Sequence, residues 1–265
     1  MKKRAVLIIL CICMGLCFFA SSAAESSEVR GDANGDGKVS VRDASLVLRY
    51  SVGLSDGIST RGKINADINR NAKLDAADAA AILRQVVGVS MLQALPALDT
   101  TLYNKLAAHP LKDKVYTEWI SRTIQYLSAG DRKSVLYSAA NYLGKPYSEL
   151  NCSDFLKIAF EKAGISKDVY PGYSSDKTYR WFDEKGKTKK IQRTGGAINA
   201  NSWKPGTVVF YMNADGSKAN NVALFVGVID GEPIIMDSGT KDGVRLSELW
   251  ESDGWVPTYY ADPWG

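Results

Sequence analysis

The chain has 265 residues, of which 45% are hydrophobic and 23% are charged, which is the composition of a globular protein that buries a core. Its formal net charge is only +4, and Lys2, Lys3 and Arg4 lie in a segment that we expect to be removed. The mature protein is therefore nearly neutral, which excludes an electrostatic case for nucleic acid as a partner.

The N-terminal residues carry the pattern of a secretory signal peptide. The basic start Met1–Arg4 precedes an apolar run, Ala5–Ala20, that is too short for a comfortable membrane span, and small residues at positions 22 and 24 suit a cleavage site. We therefore predict a signal peptide over residues 1–24. The mature protein is expected to be secreted and extracellular, with no membrane segment after signal removal.

Residues 32–43 and 67–78 each have the spacing of a twelve-residue calcium-binding loop. Short oxygen-bearing side chains alternate at the start of each loop, and an aspartate closes it. Calcium needs about six to eight hard oxygen ligands, and a tandem repeat of this pattern predicts two bound ions. The expected ligands, with the two lysines giving backbone carbonyls, are Asp32, Asn34, Asp36, Lys38, Ser40 and Asp43, then Asp67, Asn69, Asn71, Lys73, Asp75 and Asp78.

The second loop departs from the first at the sharp turn. Ala72 stands where the first loop has Gly37. Glycine adopts the turn conformation without steric cost, so we expect the second loop to be more strained or to bind calcium more weakly.

Each loop leads into a predicted helix, residues 41–50 and 76–87, whose apolar residues recur at helical spacing. The duplicated loop and helix resemble a type I dockerin, with the module placed at residues 25–90. The resemblance implies calcium-dependent folding and docking onto a cohesin module of a scaffoldin, as in a cellulosome-type assembly, so the protein would be attached to a scaffold or cell surface. Cohesin contacts are implied at Val41, Arg42, Arg49, Ala76, Ala77 and Arg84.

Two features of these contact residues leave the cohesin type open. Val41-Arg42 and Ala76-Ala77 stand where the best-known dockerin subtype has a Ser-Thr pair. Arg49 and Arg84 lie at equivalent places in the two helices, where symmetric partner contacts and plain solvated arginines explain them equally well.

The rest of the chain is divided into a linker, residues 91–110, and a domain, residues 111–265. The linker contains His109, the only histidine, which we expect to be a surface residue. Helices are predicted over residues 115–128, 132–143 and 152–163, and strands over residues 207–212, 222–229, 233–237 and 255–260. Helices followed by antiparallel strands predict an α+β fold, joined to a small all-α calcium-binding module.

Candidate chemistry centres on Cys152, because the other three cysteines lie in the predicted signal peptide. Asn151 is expected to cap the helix that starts here, with Asp154 three residues later as in a capping box. Unpaired backbone N–H groups and the positive end of the helix dipole favour a thiolate at this position. The alternative interpretation is a buried thiol that acts as a small hydrophobe.

Four sequence blocks resemble the NlpC-type cell-wall peptidase family in order and spacing: residues 139–147, 151–155, 204–211 and 221–227. The resemblance implies a papain-like fold that cleaves peptide amides, typically in peptidoglycan stems. It implies that Cys152 is the nucleophile and that Tyr147 lines the substrate cleft. The backbone N–H of Cys152, at the helix start, would help to hold an oxyanion.

The chain also departs from the pattern of that family. Asn151 and Asp154 replace the usual Asp and Gly on either side of Cys-Ser, and Asn221 stands where the catalytic histidine is expected. An amide can orient a group but cannot shuttle protons, and general acid–base help contributes roughly 10²–10⁴ in rate. Loss of the histidine therefore favours a domain that binds without turnover.

Asp237 lies near the third catalytic position of the family. A two-residue turn after the preceding strand would put Met236 on the face of Asn221, whereas a three-residue turn would put Asp237 there. Even if it were well placed, an anionic Asp237 would oppose thiolate formation.

Two functions remain open at this point. The first is a secreted cellulosome-type component that docks onto cohesin and carries a degenerate NlpC-type domain binding cell-wall peptide or glycan. The alternative is an active cysteine hydrolase or amidase that cleaves peptidoglycan or other peptide amides with a non-standard base. The candidate catalytic residues are Cys152, Asn221 and Asp237, and the candidate substrate-binding residues are Tyr147, Ser153, Tyr173 and Trp181.

Overall fold

The computed structural model describes residues 28–265 except residues 56, 90, 91, 93–96, 110, 112, 113, 230 and 253. The predicted signal peptide and part of the predicted linker lie outside the described residues. No helix among the described residues is long and apolar enough to span a membrane.

Residues 28–89 form three helices, which we call the loop–helix module: α1 (Val41–Ser51), α2 (Thr60–Ala66) and α3 (Ala76–Val86). Helices α1 and α3 pack against each other and bury Val47 and Ile82 at their contact. Each of the two begins at a capping box that its own calcium loop supplies. Sequence spacing predicted α1 and α3, whereas α2 was not predicted.

The C-terminal domain, residues 97–265, begins with five helices: α4 (Thr100–Ala107), α5 (Lys114–Tyr126), α6 (Asp131–Ala140), α7 (Cys152–Lys162) and α8 (Ser175–Glu184). The predictions for α5, α6 and α7 agree with these bounds to within a few residues. Helix α4 lies in the stretch interpreted as linker, and it buries Leu102 and Leu106 in the domain core. Helix α8 was not predicted, because its buried face includes the small polar residues Ser175 and Thr178 beside Phe182.

A six-stranded antiparallel sheet follows the helices, in the order β1-β8-β4-β5-β6-β7. Its strands are β1 (Thr188–Lys190), β4 (Val208–Met212), β5 (Ala219–Ile229), β6 (Glu232–Gly239), β7 (Gly243–Glu248) and β8 (Val256–Ala261), and a separate hairpin contains β2 (Arg193–Thr194) and β3 (Ala197–Ile198). One face of the sheet packs against the helices, and the other against a cluster that includes Trp203. The predicted α+β class is confirmed.

The pairing of β5 with β6 decides which side chains share a face. The hairpin joins Ile229 to Glu232 through two residues, yet the register shifts between Phe225 and Gly227, so that Leu224 pairs with Met236. This bulge changes the face assignment that a plain two-residue turn would give. Asp237 consequently lies on the same face of the sheet as Tyr211. Tyr211 of β4 pairs directly with Asn221 of β5, so Asn221 lies on that face as well.

Candidate functional site

The first calcium loop is organised by its own carboxylates. Asp32 Oδ1 accepts the N–H of Gly35 at 2.7 Å, and its Oδ2 accepts that of Gly37 at 2.8 Å. Asp43, which is buried, accepts backbone N–H groups from both ends of the loop, including Ala33 at 3.0 Å and Ser40 at 2.8 Å. The carboxylates at the first and last positions of the loop thereby hold its backbone together.

The second loop repeats this arrangement, but its backbone is more strained. Asp67 accepts the N–H groups of Asn71 at 3.1 Å and Ala72 at 2.9 Å. Ala72 has φ 60° and Arg70 has φ 61°, whereas the equivalent residues of the first loop are the glycines Gly37 and Gly35. An L-residue in this left-handed region costs roughly 1–2 kcal/mol, which is the strain expected from the sequence.

The donor set of both loops suits a hard cation. Every predicted side-chain donor is a carboxylate, amide or hydroxyl oxygen, as calcium requires. Burial, followed by the charge of Asp78, raises the pKa of Asp67 to about 7, although hydrogen bonds from Trp119 and the loop lower it. Within the described residues, no three His, Cys, Asp or Glu side chains converge on one point. A bound calcium ion would supply the positive charge that the buried carboxylates lack.

The residues implied in cohesin contact are exposed. On α1, Val41 is 59% exposed and Leu48 41%, and Val52, which caps the end of the helix, is 67% exposed. These three residues are spaced by seven and four positions, which places them in one stripe along the helix. The equivalent stripe of α3 begins with two alanines, Ala76 and Ala77. The module therefore presents the apolar stripe of α1 to solvent, with Arg42 and Arg49 beside it, and the end of α3 also exposes Val86 and Val87. The predicted contact residues are Val41, Arg42, Arg49, Ala76, Ala77 and Arg84.

Cys152 is the first residue of α7, and Asn151 caps the helix as expected, accepting the N–H groups of Ser153 at 3.0 Å and Asp154 at 3.1 Å. The thiol is 4% exposed. Its Sγ lies 3.5 Å from Ser175 Oγ, and the hydroxyls of Ser175 and Ser153 are 2.9 Å apart. The thiol is therefore surrounded by hydroxyl groups, which do not act as bases near neutral pH.

A groove of about 240 Å³ contains Tyr147 and Asn221 together. Asn221 is 1% exposed, and its Oδ1 has no hydrogen-bond partner among the described residues. Burial, followed by the charges of Cys152 and Asp154, raises the pKa of Tyr147. Cys152 itself is not among the residues that line the groove. The remaining lining comes from the β6–β7 turn and the segment after β7: Ser238, Gly239, Thr240, Lys241, Asp242, Arg245, Trp250, Ser252 and Trp255.

Asp237 is fully buried and already engaged. Its Oδ1 accepts from Arg245 Nε at 3.0 Å, and its Oδ2 accepts from Trp250 Nε1 at 2.9 Å. Its neighbour Met236 belongs to the core cluster that contains Cys152, so the side chain of Asp237 takes the opposite face of the sheet. Asp237 thus shares a face with Asn221 and forms an ion pair rather than a free carboxylate.

Three of the four predicted substrate-binding residues lie outside this groove: Ser153, beside the thiol, and the aromatic residues Tyr173 and Trp181. Tyr173 is half-exposed, and its carbonyl accepts the hydroxyl of Thr178 at 3.0 Å. Trp181 packs edge-on against Phe182 and lies 4.0 Å from the ammonium group of Lys185. The structure does not bring these two aromatic residues into the groove with Tyr147.

Several groups near the site were not identified from the sequence. Ser175 belongs to a helix that was not predicted, and Arg245 belongs to β7, which was also not predicted. His109 rests against Gly144, where a Cβ would lie 2.5 Å from His109 Nε2, so this histidine is packed at the base of the loop leading to Cys152. In the sequence, this contact is indicated only by Gly144, which stands just before the loop that contains Pro146.

A comparison with protein families matches residues 30–87 to the description "Dockerin type I domain". This match confirms the recognised dockerin module and implies a cohesin partner. No curated protein matches the sequence significantly. Among solved structures, the chain is similar to a crystal structure described as similar to lipoprotein, NLP/P60 family, from Staphylococcus aureus subsp. aureus Mu50, with 15% identity, 88% of each chain covered and a TM-score of 0.34.

Proposed function

We propose that this protein is a secreted scaffold component that docks onto a cohesin through α1 of its loop–helix module, with calcium in both loops. The observation that carries the docking surface is the exposed stripe of Val41, Leu48 and Val52, because a soluble protein rarely leaves such a stripe uncovered without a partner. Calcium, when bound, supplies the charge that closes each loop. The chain itself supplies the oxygen donors, the capping boxes and the helix face.

Calorimetric titration of the full chain with a panel of cohesins, in calcium and in chelator, tests this proposal. Leu48→Glu places a charge in the centre of the stripe and should weaken binding by about 30-fold or more, as for a hot-spot residue. Tyr173→Glu changes an equally exposed residue of the C-terminal domain and should leave the affinity unchanged. Binding that persists in chelator, or that ignores Leu48→Glu, would contradict the proposal.

For the C-terminal domain we propose an NlpC-type domain that binds peptide or glycan in the groove beside Tyr147 without turnover. The resemblance of the four sequence blocks supports the domain type. The buried Oδ1 of Asn221 has no hydrogen-bond partner among the described residues, which supports a ligand that donates a hydrogen bond to it, because a buried unsatisfied oxygen costs about 1–3 kcal/mol. The hydroxyl surroundings of Cys152 support the absence of turnover, since the thiol has no imidazole beside it to take its proton.

The second candidate function is a cysteine hydrolase or amidase. It is favoured by the position of Cys152 at the start of an eleven-residue helix, where the dipole stabilises a thiolate. The rate of Cys152 alkylation against pH, measured beside product formation from peptidoglycan fragments, separates the two candidates. A thiol that titrates near its free value, with no product, contradicts the hydrolase. Product formation that Cys152→Ala abolishes contradicts the binding domain.

Asn221→His sharpens the same test. Asn221 shares the face of Asp237, opposite the core cluster that contains Cys152, so the variant should gain no hydrolysis of peptidoglycan fragments, whereas a base placed beside the thiol would add roughly 10²–10⁴ in rate. Asn213→His, on the loop after β4, is a matched control that adds a histidine outside the groove and should gain nothing. Hydrolysis gained by Asn221→His and not by Asn213→His would contradict the assignment of Asn221 to the face opposite Cys152.

A further inference from the structure

The second calcium loop contacts the C-terminal domain through one of its predicted ligands. Trp119 on α5 donates its indole N–H to Asp67 Oδ2 at 2.9 Å. Both side chains are buried, with Trp119 2% and Asp67 3% exposed. A buried hydrogen bond to a carboxylate is stronger than one between neutral groups and fixes the orientation of its acceptor.

The two oxygens of Asp67 are used unequally. Oδ2 accepts both the indole and the N–H of Ala72, each at 2.9 Å, whereas Oδ1 accepts the N–H of Asn71 at 3.1 Å. Oδ1 therefore keeps more lone-pair capacity for a cation. The hydrogen bonds hold the carboxylate in one rotational position, as outer-shell donors do for ligands of metal sites.

Other contacts seat the same loop on α5. The guanidinium group of Arg70 lies 3.6 Å from the ring centre of Tyr126, and Ala72 belongs to the core cluster that contains Trp119. Nearby, Arg61 of α2 pairs with Glu118 of α5 through two 2.8 Å hydrogen bonds. The second loop is thus part of the contact between the two halves of the molecule.

The first loop has no such connection in the described part of the chain. The bonds to Asp32, its equivalent of Asp67, come from the backbone of its own loop at Gly35, Asp36 and Gly37. The molecule therefore contains an internal control, namely the same ligand pattern with and without an indole donor.

We propose that Trp119 is a positioning residue for the second calcium loop, so that calcium binding there and the seating of the loop on α5 stabilise each other. This inference rests on the calcium assignment in the proposed function. Coupling between two binding equilibria is reciprocal, so whatever factor the seated loop adds to calcium affinity, calcium adds to the contact. Calcium would then act on the C-terminal domain through one loop and on the docking helix through the other.

Calcium titration of the full chain by calorimetry tests this assignment with Trp119→Phe, which keeps an aromatic ring and removes the N–H. We expect two binding events in the unaltered chain. In the variant, one event should weaken by about 10-fold and the other should not change, which is the effect of losing an outer-shell donor. The gain in melting temperature from calcium over chelator should also shrink, and a purely structural role would not produce that change.

Trp264→Phe is the matched control, because Trp264 also donates its indole to a carboxylate, Asp131 Oδ2 at 3.1 Å, away from both calcium loops. It should leave both calcium events intact. Two events with unchanged affinities in Trp119→Phe would overturn this inference and leave the proposed function in place. An unaltered chain that binds no calcium would overturn the calcium assignment itself.

A measurement on the unaltered chain keeps the inference testable if Trp119→Phe does not fold. One of the six tryptophan indole N–H resonances should exchange with solvent more slowly in calcium than in chelator, and selective labelling identifies it. Equal exchange of the Trp119 indole in both conditions would overturn the coupling.

Discussion

The two loop–helix repeats share a ligand pattern but differ in their surroundings and in their backbone. The first loop has glycines at both left-handed positions, and the helix after it shows an apolar stripe to solvent. The second loop places Arg70 and Ala72 in that conformation, and it lies against α5. The comparison teaches that a duplicated sequence has been divided between two tasks. One copy faces outward, and the strain of the other is offset by packing against the C-terminal domain.

The largest expected effect comes from removing the aspartate that closes each loop. Asp43→Ala and Asp78→Ala each leave three backbone N–H groups without an acceptor, for Asp78 those of Ile68, Asn69 and Asp75. Each substitution should lower the free energy of unfolding by at least about 3 kcal/mol, measured by thermal unfolding in calcium. Only Asp78→Ala should raise hydrogen exchange in α5. Faster hydrogen exchange of α5 in both variants would contradict the inference that only the second repeat is coupled to the C-terminal domain.

A smaller effect is expected at Glu118 of α5, which pairs with Arg61 of α2 and with Arg122 of its own helix. Glu118→Gln loses charge-assisted bonds from Arg61 and Arg122 and should cost about 2 kcal/mol. Glu149→Gln removes an exposed pair with Lys145 and serves as the control, with little change in the free energy of unfolding. Equal costs in urea unfolding would count against an ordered contact at α5.

The same carboxylate predicts a dependence on pH. Burial alone would raise the pKa of Glu118, but hydrogen bonds from Arg61 and Arg122 outweigh it and lower that pKa. Its contribution to stability is therefore complete above the ordinary glutamate value, about 4.3, and is lost as the pH falls through the lower folded value. Unfolding measured between neutral and acid pH should lose part of this dependence in Glu118→Gln. An unchanged profile would contradict the assignment.

The smallest effect is expected from exchanging the turn residues. Gly37→Ala introduces a left-handed alanine at an exposed position and should cost about 1 kcal/mol. Ala72→Gly relieves a similar strain but loses a buried methyl worth about 0.8 kcal/mol, so it should be nearly neutral. Urea unfolding of both variants measures the difference. A stabilisation by Ala72→Gly equal to the cost of Gly37→Ala would show that packing does not offset the strain.

The parts of the fold that follow local rules could be predicted from the sequence. Loop spacing and capping residues gave α1, α3 and α7, and β-branched runs gave four of the strands. Helices α4 and α8 and strand β7 depend on tertiary contacts. Helix α4 buries only Leu102 and Leu106, and two of the three residues that α8 buries are small and polar. Local periodicity contains little of that information.

The candidate site divides in the same way. The position of Cys152 at a capped helix start follows from adjacent residues and could be predicted. Asn221 and Asp237 share a face because of a β-bulge near Val226. No residue type in the sequence indicates this bulge, so Met236 and Asp237 remained equally possible on the face of Asn221. Asp237 bonds to Arg245 and Trp250, 8 and 13 positions further along the chain, and its contact with Arg245 depends on the pairing of β6 with β7.

The exposed apolar residues also affect self-association of the protein in solution. Seven of the eight large hydrophobic side chains that are exposed in the described part of the chain belong to the loop–helix module: Val41, Leu48, Val52, Leu54, Val86, Val87 and Val89. Without a partner these side chains invite contact between copies, so light scattering should rise with protein concentration. An equimolar cohesin should return the sample to a single species, which makes colloidal behaviour a simple measure of whether the right partner has been found.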